Sequence, residues 1–259
     1  MISVLASILR FFFRSLLFIG YLLFLLTPTL MRVNHYRGLG TVDGSRKADA
    51  HAVRLANRLA WLFGIRVVVT GQPQSGPVLM AANHISWLDI PVLHSACAMG
   101  FVGKAEIESW PVFRNIARTG GTIFHQRGNH DSAAGVNSLM VQRLGEGRAV
   151  TIFPEGGIEA GVPIRIFHAR MFKAAVDVGC PVQPVMVRYV RNGHIDTDVA
   201  FRVGESMAMN LCRQLARPKS VAEVHFLPVI SAVDQPRRVL ADGARAAVVG
   251  SYENRAIGS

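Results

Sequence analysis

Beyond Gly64 the chain alternates short, continuously apolar, β-branched runs with stretches of helical period, and this alternation narrows its folds more than any other feature. Strand candidates are IRVVVTG (65–71), PVLMAAN (77–83), GFVGKA (100–105), TIFHQR (122–127), AVTIFPE (149–155), VQPVMVRYV (182–190), VAFRVG (199–204) and AEVHFLPVI (222–230). Helix candidates lie between them, near 87–98, 109–118, 131–145, 168–179, 207–216 and 236–250. A strand that is apolar on both faces must be covered on both, so the pattern predicts an α/β sheet flanked by helices. Ligands of such sheets gather where strands end and helices begin. No polar linker divides the 259 residues, half of which are apolar. One catalytic domain over 64–259, with an attachment over 1–63, is the expected organisation.

The attachment has its own signature. From Ser15 to Met31 the segment SLLFIGYLLFLLTPTLM runs 17 residues without a charge, with Arg10 and Arg14 before it and Arg32, His35 and Arg37 after it. That length is at the lower edge of what spans a bilayer. No A-x-A-like site follows it, which argues for an uncleaved anchor over a signal peptide. Positive charge at both ends leaves the orientation, and the choice between spanning and lying in one leaflet, open. In the next segment Ala52, Leu55, Ala56, Leu59 and Leu62/Phe63 recur at helical spacing, with Arg54 and Arg58 off the stripe. An apolar helix followed by a basic amphipathic one predicts a membrane-seated two-helix arm; a core helix of the soluble domain is the other reading of the second helix.

A formal charge of +11, from 28 Lys+Arg against 17 Asp+Glu, means a surface that attracts anions. The arginines are spread along the chain, and neither zinc-finger spacing nor an aromatic RNA-binding signature is present, so a membrane is the expected partner and nucleic acid is not. Cys97, Cys180 and Cys212 lie far apart and never form a C-x-x-C pair, so no disulfide framework or thiolate metal site is expected, which fits a reducing compartment.

The chemistry concentrates at MAANHISWLDIPVL, Met80 to Leu93. Here SWLD has the form of a capping box in which Ser86 caps the coming helix and Asp89 reaches back. That explains Asp89 without any function and leaves His84 unexplained. A histidine in the turn before a helix can also fold over its first turn and meet that carboxylate, which would orient the imidazole as a base. In AVTIFPEGG, Pro154 ends a strand and delivers Glu155 to the sheet edge, followed by Gly156 and Gly157, whose bare backbones admit a ligand. Arg127 comes off the end of TIFHQR. A base and carboxylate, a carboxylate beside glycines, and an arginine at strand ends together fit an anionic acceptor held against an acyl-transfer centre.

These residues resemble the 1-acylglycerol-3-phosphate acyltransferases and related lysophospholipid acyltransferases. The likeness covers most of 65–230: N-H-x-S-x-x-D at Asn83–Asp89, KAEIESWPVFRNIARTGGTIFHQR at Lys104–Arg127, FPEG at Phe153–Gly156, and FHARMFKAAVDVGCPVQPVMVRY at Phe167–Tyr189. The resemblance implies the family's mixed sheet flanked by helices, at a bacterial inner membrane with the catalytic domain facing the cytoplasm. It implies transfer of a fatty acyl group from acyl-CoA or acyl-carrier protein to the free hydroxyl of a lysophospholipid, with no cofactor or metal. By the same analogy His84 is the general base and Asp89 orients it, while Asn83, Lys104, Arg127, Glu155, Gly156 and Arg170 are expected on the acceptor side. Lys104 has a second reading as a solvated surface lysine.

The pattern breaks after FPEG, where the family's Thr and Arg are replaced by Gly157 and Ile158. A cation at the acceptor head is thereby missing, for which Arg165 or Arg170 could substitute. Phosphatidic acid formation from 1-acylglycerol-3-phosphate is the default reaction by resemblance, and lyso-ornithine lipid or another lysolipid is the alternative acceptor. A non-catalytic lipid-binding protein retaining the motifs is the non-enzyme alternative. A serine hydrolase is disfavoured because GESMA at Gly204–Ala208 fails the last position of G-x-S-x-G. A zinc site is disfavoured because no two of the nine histidines stand at i, i+4 on a helix.

Overall fold

In the computed structural model, which describes residues 2–104, 114, 122–125, 130–158 and 164–254, the longest strand runs through the middle of the sheet. The strands in chain order are β1 (Ile65–Thr70), β2 (Leu79–Ala82), β3 (Gly100–Lys104), β4 (Ile123–His125), β5 (Val150–Ile152), β6 (Val182–Arg191), β7 (His194–Ile195) and β8 (Ser220–Phe226). They are ordered β1-β8-β6-β2-β5-β3-β4, with β7 added to β6 as a short hairpin. Pairing from β6 to β4 is parallel throughout, as is β1 with β8, whereas β6 and β8 are antiparallel. The sheet is mixed and helices cover both its faces, as expected.

The alternation along β6 explains the two layers. Val185, Val187 and Tyr189 enter one core with Leu62, Phe63, Leu88 and Val92, while Met186 enters the other with Phe172, Leu240 and Val248. The first layer holds α3 (Val42–Leu62) and α4 (Asp89–Ala96). The second holds α5 (His130–Gly145), α6 (Lys173–Val178) and the last helix, α8 (Arg237–Asn254).

The N-terminal arm is one long helical stretch rather than a 17-residue anchor. α1 (Ile2–Gly20) continues through a π-helical turn, Tyr21–Leu26, into α2 (Thr27–Gly38). Pro28 lacks the N–H that an α-helical ladder needs there, and the wider turn just before it accommodates the lost bond. The described residues contain one helix long and apolar enough to cross a membrane, Val4–Gly38. Its exposed residues form a stripe, Val4, Leu5, Ile8, Leu9, Phe12, Phe13, Leu16 and Ile19, whereas Phe11, Leu17 and Phe18 pack inward.

Arg10 and Arg14, which read as flanking charges in the sequence, lie on the inner face of this helix. α7 (Met207–Ala216) ends there, and its last carbonyls lack helical partners. Arg10 Nε donates to the Ala216 carbonyl (3.0 Å), and Arg14 Nη1 donates to those of Leu215 (3.3 Å) and Arg217 (2.7 Å). Two cations at a helix C-terminus also oppose the negative end of its dipole. Much of the stripe of α3 is buried as well: Leu55 and Leu62 join the inner core, Ala56 is buried, and Tyr21 donates its hydroxyl to the Leu55 carbonyl (3.1 Å). The core-helix reading of this segment therefore holds for its apolar face, and the outward apolar surface belongs to the long N-terminal helix, continuing from α1 through Leu23 and Phe24 to Met31.

Two sequence expectations need correction. Residues 199–204 are not a strand. Thr197–Val199 is a 3-10 turn, and side chains from α7 take the neighbouring carbonyls: Arg213 donates to those of Asp198 and Ala200, and Gln214 to those of Asp198 (3.2 Å) and Val199 (3.1 Å). An apolar run whose carbonyls are capped in this way has no ladder to join. The helix expected at 168–179 is split into a 3-10 turn, Ala169–Phe172, and α6, which ends on Gly179 in the left-handed region. The helix expected at 109–118 lies outside the described residues.

Gly64 ties these parts together, since its φ is +73° and a Cβ there would lie 2.1 Å from Arg14 Nη2. Gly64→Ala should lower the unfolding free energy by roughly 1–3 kcal/mol, measured by denaturant titration in detergent. A variant of unchanged midpoint would show that Arg14 is not held there.

Candidate active site

β2, β5 and β6 are parallel neighbours, so their C-terminal ends emerge together at one edge of the sheet. β2 delivers the turn carrying His84, β5 delivers the turn carrying Glu155, and β6 carries Tyr189 behind both.

The turn after β2 folds about one carboxylate. Asp89, 0% exposed, is the first residue of α4 and points back over its own turn. Its Oδ2 accepts from His84 Nδ1 (2.8 Å), the Ile85 N–H (2.7 Å) and the Ser86 N–H (2.9 Å). Its Oδ1 accepts from the Tyr189 hydroxyl (2.7 Å). Ser86 Oγ accepts from the Leu88 N–H (3.3 Å), inside the turn; α4 itself begins after Leu88 with no side-chain cap, so of the expected capping box only the reach of Asp89 back to the Ser86 N–H forms. The two readings of Asp89 meet in one oxygen, because the carboxylate oxygen that gathers the turn's amides also holds the imidazole. With Nδ1 donating, the lone pair lies on Nε2, which has no hydrogen bond among the described residues, and the side chain keeps 14% of its surface exposed. The imidazole ring stacks on Phe153 with centroids 3.8 Å apart.

Glu155 forms the second junction. It is 3% exposed; Oε1 accepts the His84 N–H (2.8 Å) and Oε2 the Arg165 N–H (2.8 Å). Burial raises its carboxyl above the usual range, against the pull of those two amides and of the nearby His84 and Arg165. Arg165 also donates from Nη2 to the carbonyls of Glu155 (3.0 Å) and Gly157 (2.6 Å), which fastens the turn. Gly156, at φ +76°, faces His168; a Cβ would sit 3.4 Å from His168 Cδ2, an ordinary contact, so the requirement for glycine is conformational. His168 titrates below its ordinary value because it is partly desolvated and lies near the cations Arg170 and Arg165.

Among the expected acceptor-side residues, two have other places. Asn83 is fully buried; its Nδ2 donates to the Val187 carbonyl (2.8 Å) and its Oδ1 accepts the Val187 N–H (2.7 Å), so it fastens the end of β2 to β6 and presents nothing to a ligand. Glu155 likewise has both oxygens on backbone amides. Gly156 lies at the edge of the site, and Arg170 is exposed on the adjoining 3-10 turn. Lys104 ends β3, paired with His125, but its side chain lies outside the described residues, as does Arg127 altogether. Among the described residues no group of three or more His, Cys, Asp and Glu is placed to hold a metal ion.

Sequence reasoning did not single out Tyr189 or the Trp87–Asn210 pair, in which indole Nε1 donates to Asn210 Oδ1 (2.9 Å) and the ring meets Phe63 edge-on at 5.2 Å. Tyr189 lies 100 residues from Asp89, and only the register of β6 beside β2 brings it there. The sole signal was its position at the end of the last family-like block.

A mixed α/β sheet whose strand ends present an imidazole backed by a buried carboxylate is the arrangement of an enzyme built for proton transfer. The acyltransferase family model matches residues 66–188. The lyso-ornithine lipid O-acyltransferase of Pseudomonas aeruginosa is 35% identical over 191 residues, covering 74% of each chain. The 1-acyl-sn-glycerol-3-phosphate acyltransferase of Neisseria gonorrhoeae is 31% identical over 206 residues, 78% of this chain and 81% of that one. In fold, the 1-acyl-sn-glycerophosphate acyltransferase PlsC of Thermotoga maritima superposes over 99% of both chains with a TM-score of 0.73 at 18% identity. The chain belongs to the acyltransferase family.

The two readings of Glu155 make different kinetic predictions. Its hydrogen bonds to backbone amides predict that Glu155→Gln lowers kcat by about tenfold or more, as one of the two amides that link the His84 turn to Arg165 loses its acceptor and faces an NH2 instead, with KM for the acceptor unchanged. A rise in KM at constant kcat would instead return Glu155 to the acceptor side.

Proposed function

We propose that the protein is a membrane-seated O-acyltransferase that moves a fatty acyl group from acyl-CoA or acyl-carrier protein to the free hydroxyl of a lysolipid, with 1-acylglycerol-3-phosphate as first acceptor. The observation that carries this reading is the His84–Asp89 pair at the strand ends, with Nε2 unengaged among the described residues. In the proposed reaction Nε2 takes the proton of the acceptor hydroxyl as its oxygen attacks the thioester carbonyl. The imidazolium formed is stabilised by the Asp89 carboxylate. As the tetrahedral intermediate collapses, the C–S bond breaks, the ester remains, and the imidazolium returns its proton to the leaving thiolate. The two turns fastened by Glu155 and Arg165 hold this geometry before substrate arrives.

Two observations favour a second acceptor, lyso-ornithine lipid. Gly157 and Ile158 stand where the family pattern has Thr and Arg, and Arg165, which could have supplied the missing cation, directs Nη2 at two carbonyls of the turn. The Pseudomonas relative is named for that acceptor.

Purified full-length protein, labelled acyl-CoA or acyl-carrier protein and a panel of lysolipids test both readings. Acylated product is expected with one of the two acceptors, and His84→Ala should lower the rate by about 10²–10⁴-fold with the fold retained by circular dichroism. Product formation undiminished in that variant would dismiss the base.

The proposed location is the inner membrane with the catalytic domain on the cytoplasmic side, and the arm supports the membrane seat in this reading. α1 is pinned along its inner face by Arg10 and Arg14, so the stripe of Leu9, Phe12, Phe13 and Leu16, each more than 60% exposed, is left to meet lipid. A helix held along a water-soluble domain in this way favours lying in one leaflet over crossing both. Replacing these four by Gln should weaken sedimentation with anionic vesicles by at least about tenfold; retained binding would move the seat elsewhere.

A further inference from the structure

The hydrogen bond from Tyr189 to Asp89 points beyond the base pair itself. We propose that Tyr189 is a positioning residue that sets the strength of His84 as a base by donating its hydroxyl to the Asp89 oxygen that faces away from the imidazole. The inference rests on His84 acting as the base.

The geometry is specific. Asp89 has two oxygens with different duties: Oδ2 gathers His84 Nδ1 and two backbone amides, whereas Oδ1 takes the phenol at 2.7 Å. Tyr189 is 1% exposed on the central strand, so no water stands in for it. It is also anchored from behind, because its own carbonyl accepts the Asp196 N–H (2.8 Å) and Asp196 is paired with Arg217. Burial and the adjacent carboxylate keep the phenol protonated well above its ordinary range, so it acts as a donor at every working pH. A second donor on a carboxylate draws charge away from the oxygen that faces the imidazole and lowers its pull on the imidazolium. Removing that donor should therefore make His84 hold its proton to higher pH.

The charged and titratable groups around the pair come from several elements. Asp89 is on α4, Glu155 and Arg165 belong to the turn after β5, Tyr189 is on β6, and Arg217 follows α7 behind the phenol. Of these, only Asp89 and Tyr189 reach the ring through hydrogen bonds, Asp89 directly and Tyr189 through it, while Glu155 holds the His84 backbone.

The experiment compares full-length wild type, Tyr189→Phe, a variant with 3-fluorotyrosine at 189, and His84→Ala, in vesicles, over pH 5 to 9. In Tyr189→Phe the midpoint of the acid limb of kcat/KM should move up by roughly half a unit, and kcat should fall about three- to tenfold with acceptor KM unchanged. Fluorotyrosine, nearly isosteric and a stronger donor, should move the limb down, and it carries the test if Tyr189→Phe fails to fold. Opposite shifts support the proposal. A limb fixed in both variants overturns it, whatever happens to kcat or thermal stability, because a purely structural tyrosine would not move the limb. Activity retained in His84→Ala would overturn the underlying reading of the base, which the two tyrosine variants alone cannot do.

Discussion

Placing the Asp89 carboxylate where water reaches none of it costs several kcal/mol unless donors compensate, and here four do: an imidazole, two backbone amides and a phenol. Hydrogen bonds to a charged group are each worth about 1.5–3 kcal/mol, so a full complement offsets a penalty of that size and a partial one does not. The arrangement therefore has little tolerance. The turn after β2, the first turn of α4, the ring of His84 and the register of β6 must all be in place for the carboxylate to be buried at all. This single ion couples local chain direction to sheet pairing, and the functional imidazole is one of its four donors.

Glu155 repeats the device one strand away. Its oxygens fasten the His84 turn to the residues after the FPEGG turn, and Arg165 closes the loop by donating back to that turn's carbonyls. Both turns of the site are thus organised from within by buried acids. The outer arm follows a parallel logic with cations: Arg10 and Arg14 satisfy the carbonyls at the end of α7, and Phe18 packs edge-on against Phe63, which meets Trp87 in the catalytic turn. A continuous set of contacts runs from the long apolar helix to the residue three positions after His84.

The sequence disclosed elements whose pattern is set by burial alone. β6 read as a continuous apolar run because both its faces are buried, and α7 was legible from its period. The run at 199–204 misled because apolar character does not reveal whether backbone carbonyls meet a ladder or, as here, the side chains of Arg213 and Gln214. In the site, His84 and Asp89 were legible because their partnership is local. Asn83 and Glu155 were placed on the acceptor side because a polar residue at a strand end looks the same whether it faces a ligand or a neighbouring backbone. Tyr189 was invisible for a third reason: its role depends on strand order, which no local pattern encodes.

The substitution after FPEG acquires a physical meaning in this setting. Gly156 is in the left-handed region, and Gly157, next to it, offers its carbonyl to Arg165. The cation near this turn arrives from eight residues downstream and acts first on the protein's own backbone. A guanidinium whose Nη2 lies 2.6 Å and 3.0 Å from two carbonyls has part of its donor set committed before any acceptor binds. The exposed Arg170 stands on the adjoining 3-10 turn. The setting of His84, by contrast, comes among the described residues from the turns after β2 and β5, from the start of α4, and from Tyr189 of β6 behind Asp89. The His84–Asp89 pairing and the Gly157–Ile158 substitution thus lie in different parts of the chain, and the second can change while the first stays fixed.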